Sequence, residues 1–186
     1  MENLFGMIIE SIYFMLPAYA ANACPVVANF FNTLRFLAMP VDFNIKLFNQ
    51  PLFGHSKTFR GFIVGISAAI FIGLFQYFLF TSGYFQNYVL IDYTLYNALI
   101  LSFLLGFGAL LGDLVKSFIK RRLKISSGRP WPIFDQVDYP IGALLLCSLF
   151  YSPSIWHFVI IIIISAMLSI AANIIAYLLK IKKVWW

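Results

Sequence analysis

Five apolar stretches dominate the chain, and each approaches the roughly 20 residues that an α-helix needs to cross about 30 Å of hydrocarbon. They run from about Met7 to Phe30, Gly61 to Phe80, Thr94 to Asp113, Pro132 to Phe150 and Ser154 to Leu179. The fourth is the shortest. Its unbroken part, Tyr139 to Phe150, covers only about 18 Å at 1.5 Å per residue, so a full span must reach back to about Pro132. With 62% hydrophobic and 11% charged residues, against about a quarter charged in soluble domains, the chain lacks the polar surface of a soluble fold. The expected class is an all-α integral membrane protein, a single polytopic domain over residues 1–186 with spans at about 7–30, 61–80, 94–113, 132–150 and 154–179. Cys24 and Cys147 both lie inside apolar runs, where buried free thiols are expected rather than a disulfide framework. The first run follows Glu2 with no basic segment before it, which does not read as a cleavable signal peptide.

The basic residues fall on one side only. All 13 Lys and Arg lie between spans one and two (Arg35, Lys46, Lys57, Arg60), between spans three and four (Lys116, Lys120, Arg121, Arg122, Lys124, Arg129) or in the tail (Lys180, Lys182, Lys183). The N-terminus, the loop 81–93 and the turn at Ser152 and Pro153 have none. Because cytoplasmic segments carry the excess of Lys and Arg, the N-terminus is expected outside and the C-terminus in the cytoplasm of a multi-pass cell-membrane protein. The net charge of +6 therefore sits beside the membrane and does not point to nucleic acid. Val184, Trp185 and Trp186 read as an interfacial anchor.

Two cytoplasmic segments are expected to form an active site. Asp113, Ser117, Lys120 and Lys124 recur at offsets of four, three and four, which would extend span three as one polar helical face, with Lys116 beside it. Asp135 and Asp138 are three apart and share a face if span four begins as a helix. Acidic groups at that depth are costly and mark functional sites. Three converging carboxylates repel one another unless a cation lies between them, and their oxygen donors favour Mg²⁺ completed by substrate phosphates. Lys120, Arg121, Arg122, Lys124 and Arg129 would then face a phosphate-rich substrate, under a loop made by Gly128, Arg129 and Pro130. Lys57, Thr58 and Arg60, near the start of span two, add further phosphate contacts at a helix N-terminus. Asn22 lies between Pro17 and Pro25, where a break in the first helix would let it line the site. His157 is expected at the membrane interface, and Glu10 and Asn173 in packing hydrogen bonds.

Gly112-Asp113-Leu114 with Ser117, Lys120-Arg121-Arg122-Leu123, Gly128-Arg129-Pro130 and Asp135-Gln136-Val137-Asp138 together resemble the signature of the CDP-archaeol synthase family, within the CDP-diacylglycerol synthase superfamily. Lys57-Thr58-Phe59-Arg60-Gly61 is similar to the family's K-T-x-R-G element, and Pro17 to Pro25 to its first span. The resemblance implies a membrane cytidylyltransferase that transfers CMP from CTP to a lipid phosphate, an archaeal geranylgeranyl ether or phosphatidate, releasing pyrophosphate in phospholipid biosynthesis. It implies Mg²⁺, two ions per site, on Asp113, Asp135 and Asp138, with Lys120 also catalytic. The partners implied are CTP, the lipid phosphate and the bilayer, with oligomeric state left open. Where the wider superfamily has Arg between its aspartates, this chain has Gln136.

Two other classes fit the sequence less well. The CDP-alcohol phosphotransferases carry D-x-x-D-G, whereas Asp138 is followed by Tyr139. A small transporter or channel would also use intramembrane carboxylates. Five spans without an internal repeat, and so many cations beside the carboxylates, favour the enzyme.

Overall fold

A computed structural model describes residues 3–184; Glu2 and the expected Trp185 and Trp186 anchor lie outside the described residues. Each apolar stretch becomes a helix: α1 (Leu4–Phe30), α2 (Phe59–Thr81), α3 (Leu95–Arg122), α4 (Phe134–Cys147) and α5 (Ile155–Leu178). The side chains of Thr58, Thr94 and Ser154 accept the first free backbone N–H groups of α2, α3 and α5, from Gly61, Asn97 and His157. Such caps fix where a helix begins. All helices except α4 are long and apolar enough to cross a membrane. The 14 residues of α4 rise only about 21 Å, and the helix begins at Phe134, since Ile133 sits at φ +69°, outside the helical region.

Two sequence expectations are corrected here. α1 continues unbroken through Pro17 and Pro25, and Asn22 is an exposed residue on that continuous helix. Proline is tolerated in spanning helices when neighbours fill the space it leaves, and a Cβ built at Gly61 would lie 3.6 Å from the Pro25 ring. The polar face of α3 stops at Arg122 rather than reaching Lys124. Lys124 has φ +58°, and the N–H groups of Lys124 and Ile125 return to the carbonyls of Arg121 and Lys120 at 3.1 and 2.9 Å, a left-handed stop that turns the chain away.

Close contacts between small residues set the packing. Gly65 lies against the Ala21 carbonyl, Gly73 against Ser102 and Gly106 against Ala69, which makes α2 an antiparallel neighbour of both α1 and α3. Gly108 and Gly112 of α3 face Gly142 and the Asp138 carbonyl of α4. A Cβ at Gly108 would lie 2.5 Å from the Gly142 oxygen, and one at Gly142 would lie 2.7 Å from the Gly112 Cα. Two helices can approach so closely only where side chains are missing. Around this seam lies a core drawn from four helices, including Phe14 and Met15, Leu101 and Leu105, Tyr139 and Leu144, and Ile161.

α5 is joined to the bundle by polar contacts. His157 is buried, 4% exposed, rather than interfacial. Its Nε2 meets Glu10 Oε2 at 2.9 Å and its Nδ1 meets Ser154 Oγ at 2.8 Å. Deeper along α5, Tyr19 bonds the Ser165 hydroxyl at 3.0 Å and Tyr139 donates to the Ser165 carbonyl at 2.9 Å.

The up-and-down order gathers the ends of α1, α3 and α5 and the starts of α2 and α4 at one end of the bundle. The segment 31–58 lies there and contains a small hairpin, β1 (Lys46–Leu47) against β2 (Gln50–Pro51), with Lys46 opposite Pro51. Asp42 organises it by accepting the N–H groups of Asn44, Phe53 and Gly54 at 3.0, 2.9 and 3.3 Å. Burial pushes this carboxyl up, but the backbone donors, Phe53 foremost, more than offset that and hold it below the ordinary aspartate value.

Gly142→Ala should destabilise the α3–α4 seam by about 1–3 kcal/mol, the usual cost of overpacking. Gly6→Ala, where an added Cβ meets nothing within 4 Å, should leave the melting temperature in detergent unchanged or slightly raised. Equal melting temperatures for the two variants would contradict the close seam.

Candidate active site

The seam places Asp113, at the level where α3 passes the start of α4, beside Asp138, while Asp135 lies one turn earlier on α4. The cation at their centre is Lys116, one turn beyond Asp113. Its Nζ lies 3.1 Å from Asp113 Oδ1, 3.1 Å from Asp135 Oδ1 and 2.7 Å from Asp138 Oδ2. Sequence reasoning brought the three aspartates together but left Lys116 outside the site. Its three-residue offset from Asp113, the spacing of side-chain pairs on a helix, was the signal available.

Two further lysines flank this centre. Lys57, just ahead of the Thr58 cap, forms an ion pair with Asp113 Oδ2. Lys120 is buried and lies 3.2 and 3.3 Å from the two Asp135 oxygens, and it also donates to the Arg129 carbonyl at 2.6 Å. That last bond ties the loop 123–133 to α3. Asp135 accepts the Trp131 N–H at 2.6 Å, so one carboxylate holds both the loop and the lysine. Three lysines and three aspartates form a single charge-balanced cluster whose side chains are 7–23% exposed. Among the described residues, no three His, Cys, Asp or Glu groups stand close enough to hold a metal ion as they are. Each of the three carboxylates instead lies within hydrogen-bond distance of the Lys116 ammonium.

The other expected residues divide by what they touch. Arg121 is buried, and its Nε has no hydrogen-bond partner among the described residues; a Cβ at Gly54 would lie 3.9 Å from both that Nε and Ser127 Oγ. A buried guanidinium with an unused donor suits an arriving anion. Ser117 is buried on α3, while Lys124 and Arg129 are exposed. Arg60 is buried at the start of α2 and donates to Asn29 Oδ1 and, at 3.2 Å, to the Thr33 carbonyl, so it fastens the end of α1. Arg122 donates to the carbonyls of Leu47 and Pro51, each at 2.7 Å, and lies 5.1 Å over the Phe118 ring. It holds the hairpin of segment 31–58 against α3.

Comparison with known proteins gives a consistent result. The chain matches the family model CarS-like, CDP-archaeol synthase, over residues 4–186. It is 38% identical to the CDP-archaeol synthase of Methanococcus maripaludis strain C6, covering 99% of both chains. It is 37% identical to that of Methanocaldococcus jannaschii, over 98% of this chain and 99% of the relative. A solved structure described as an intramembrane enzyme for archaeal membrane lipid biosynthesis aligns with a TM-score of 0.73 at 35% identity, covering 90% of this chain and 94% of that one.

Lys116→Met removes the central cation while keeping length and packing volume. In metal-free detergent its melting temperature should fall, reflecting a loss of about 3 kcal/mol or more, as expected when one partner of a buried ion pair is removed. Added Mg²⁺ should raise that temperature more in the variant than in the wild type. An equal response of both proteins to Mg²⁺ would refute convergence of the three carboxylates on one point.

Proposed function

The chain belongs to the CDP-archaeol synthase family, and from that premise we propose that it is a membrane cytidylyltransferase joining CMP from CTP to an archaeal-type lipid phosphate. The observation that supports the reading most directly is Lys116 Nζ within 3.1 Å of oxygens from Asp113, Asp135 and Asp138. It marks one point on which three carboxylates converge at the edge of a membrane bundle. In the reaction, an oxygen of the lipid phosphate attacks the α-phosphorus of CTP. A new P–O bond forms, the bond between the α-phosphorus and its bridging oxygen breaks, and pyrophosphate leaves. The lipid phosphate is already ionised, so no protein base has to remove a proton.

Transfer of this kind depends on positioning and charge neutralisation rather than on covalent catalysis. The all-oxygen donor set of Asp113, Asp135 and Asp138 fits Mg²⁺, which is held by carboxylates together with substrate phosphates. One or two such ions, held by these carboxylates, would neutralise the charge on the transferring group. Lys57, Lys116, Lys120 and Arg121 are proposed to bind phosphates, with Lys124 and Arg129 at the entrance and Ser117 and the Thr58 helix start beside them. Arg60 and Arg122 are proposed as positioning residues, because backbone carbonyls and Asn29 accept from their Nη1 and Nη2 groups. The basic end of the bundle is proposed to face the cytoplasm, the source of CTP.

Asp113→Asn, Asp135→Asn and Asp138→Asn should each cut CTP-dependent formation of CDP-lipid by at least about 100-fold while leaving insertion intact. The assay is labelled CTP with Mg²⁺ and, separately, the geranylgeranyl ether phosphate, phosphatidate and soluble glycerol phosphate. Product with the ether lipid and none with glycerol phosphate is expected. Preference for phosphatidate would change the lipid and keep the reaction, whereas no product with any acceptor would end the proposal.

Orientation is tested separately, with single cysteines at Ser82 and Ser127 in a cysteine-free variant. An impermeant thiol reagent should label the first and not the second in intact cells. The reverse pattern would place the site outside.

A further inference from the structure

The tail beyond α5 does more than fix topology. After α5 ends at Leu178, Lys180 takes a left-handed φ of +59°, and the N–H groups of Ile181 and Lys182 both return to the Ala176 carbonyl, at 2.8 and 3.0 Å. The chain therefore doubles back along the last turns of its own helix. Lys182 Nζ reaches Asn173 Oδ1 at 2.6 Å, more than one turn before the helix ends. The side chain is half-buried there, on the helix that packs against the start of α4, where Tyr139, next to Asp138, donates to the Ser165 carbonyl at 2.9 Å. Burial foremost, and then the charge of Lys116, hold its ammonium below the ordinary lysine value. The tail thus brings a fourth lysine back toward the end of the bundle that carries the carboxylates.

Its electrostatic position differs from that of the other three. Lys57, Lys116 and Lys120 are ion-paired with Asp113, Asp135 and Asp138, so three positive charges already balance three negative ones. Lys182 is an added charge whose side-chain hydrogen-bond partner, among the described residues, is a neutral amide. An ammonium carries three donors, and a half-buried one with no carboxylate of its own is matched to an incoming anion.

Its location selects the anion. On one flank of the cluster lie Lys57, Arg121 and segment 31–58, held down by Arg122. Against α4 packs α5, the least buried of the four candidate spans, with Met167, Ile170, Ile174 and Leu178 exposed along it. A lipid diffusing in the plane of the membrane can lie along that apolar surface, and its phosphate would sit at the depth of a lysine lying back along the helix. We propose that Lys182 binds the phosphate of the lipid acceptor. This rests on the cytidylyltransferase reading and adds to it a residue specific to one of the two substrates.

The test uses full-length protein in mixed micelles and varies each substrate with the other saturating. Lys182→Gln should raise KM for the geranylgeranyl ether phosphate by about 10- to 100-fold, the effect expected of one charge-assisted contact. KM for CTP should stay within about twofold, and Lys182→Arg should restore most of the lipid affinity. An unchanged lipid KM, or a rise in the CTP KM instead, would overturn the assignment. Retention of radiolabelled ether phosphate on immobilised protein without CTP separates the two proposals. If wild-type protein retains the lipid in a Lys182-dependent way yet forms no CDP-lipid, the reaction is wrong and the phosphate site stands. If it forms CDP-lipid and both variants retain lipid as the wild type does, the reaction stands and the Lys182 site fails.

Discussion

The backbone contact of α3 with α4 governs everything at the basic end of the bundle. Gly108, Gly112 and Gly142 remove the side chains that would hold the two helices at an ordinary separation, and 8–10 Å is usual between helix axes. Because the Gly112 position lies against the Asp138 carbonyl, the next residue on α3 is forced alongside the carboxylate that α4 carries at that level. A wider crossing would put Asp113 and Asp138 beyond the reach of one lysine. The short length of α4 follows the same logic: it needs to extend only from the site to the middle of the core, where Tyr139, Leu144 and Cys147 are buried.

Three carboxylates brought so close are stable only with their charges answered. In this structure the answer comes from three lysines on two segments, Lys57 before α2 and Lys116 and Lys120 on α3. On the proposed reading, binding of a metal nucleotide is an exchange of partners. The lysines pass from carboxylate to phosphate, and the carboxylates pass from ammonium to metal. No charge is left unanswered at either stage, which limits the desolvation cost that an unpaired buried carboxylate would carry. Such a site can be held closed and balanced without substrate and still be ready to accept one.

Much of this was legible in the sequence because it depended on residue type and spacing. The apolar runs gave the helices, and Asp113, Asp135 and Asp138 announced themselves as acids too deep to be idle. What sequence could not resolve was which of several adjacent cations points inward. Lys116, Lys120, Arg121 and Arg122 follow one another within seven residues, so a rotation of about 100° per residue decides their partners. Lys116 and Lys120 meet the aspartates, Arg122 points to the hairpin, and Lys124 is lost to a left-handed turn. The break expected at Pro17 and Pro25 failed for a related reason. A proline lacks one hydrogen bond, but tertiary packing on Gly61 and the core decides whether the helix bends. His157 looked interfacial because its partner Glu10 lies 147 residues away in the chain.

The division of labour between the two basic residue types has a chemical basis. Arg60 and Arg122 bind carbonyl oxygens and an amide from segments that must be held in place, a task suited to a planar guanidinium whose fixed donors satisfy several acceptors at once. The lysines face carboxylates through a single compact charge on a flexible stem, which can rotate from one oxygen to another with little geometric penalty. On the proposed reading, arginine would serve where a contact must persist through the reaction cycle, and lysine where it must be exchanged. Arg121 differs in burial: it is buried outright where Arg122 is half-buried, and the Nε of each lacks a hydrogen-bond partner among the described residues. On the same reading, a rigid guanidinium beside Gly54 and Ser127 would be a preformed anion contact, whereas the lysines would become available only as the carboxylates release them. The order of events would follow from that difference: the first phosphate to arrive would meet Arg121 before any ion pair opens, and the energy of that contact would then help to separate Lys57 and Lys120 from their aspartates.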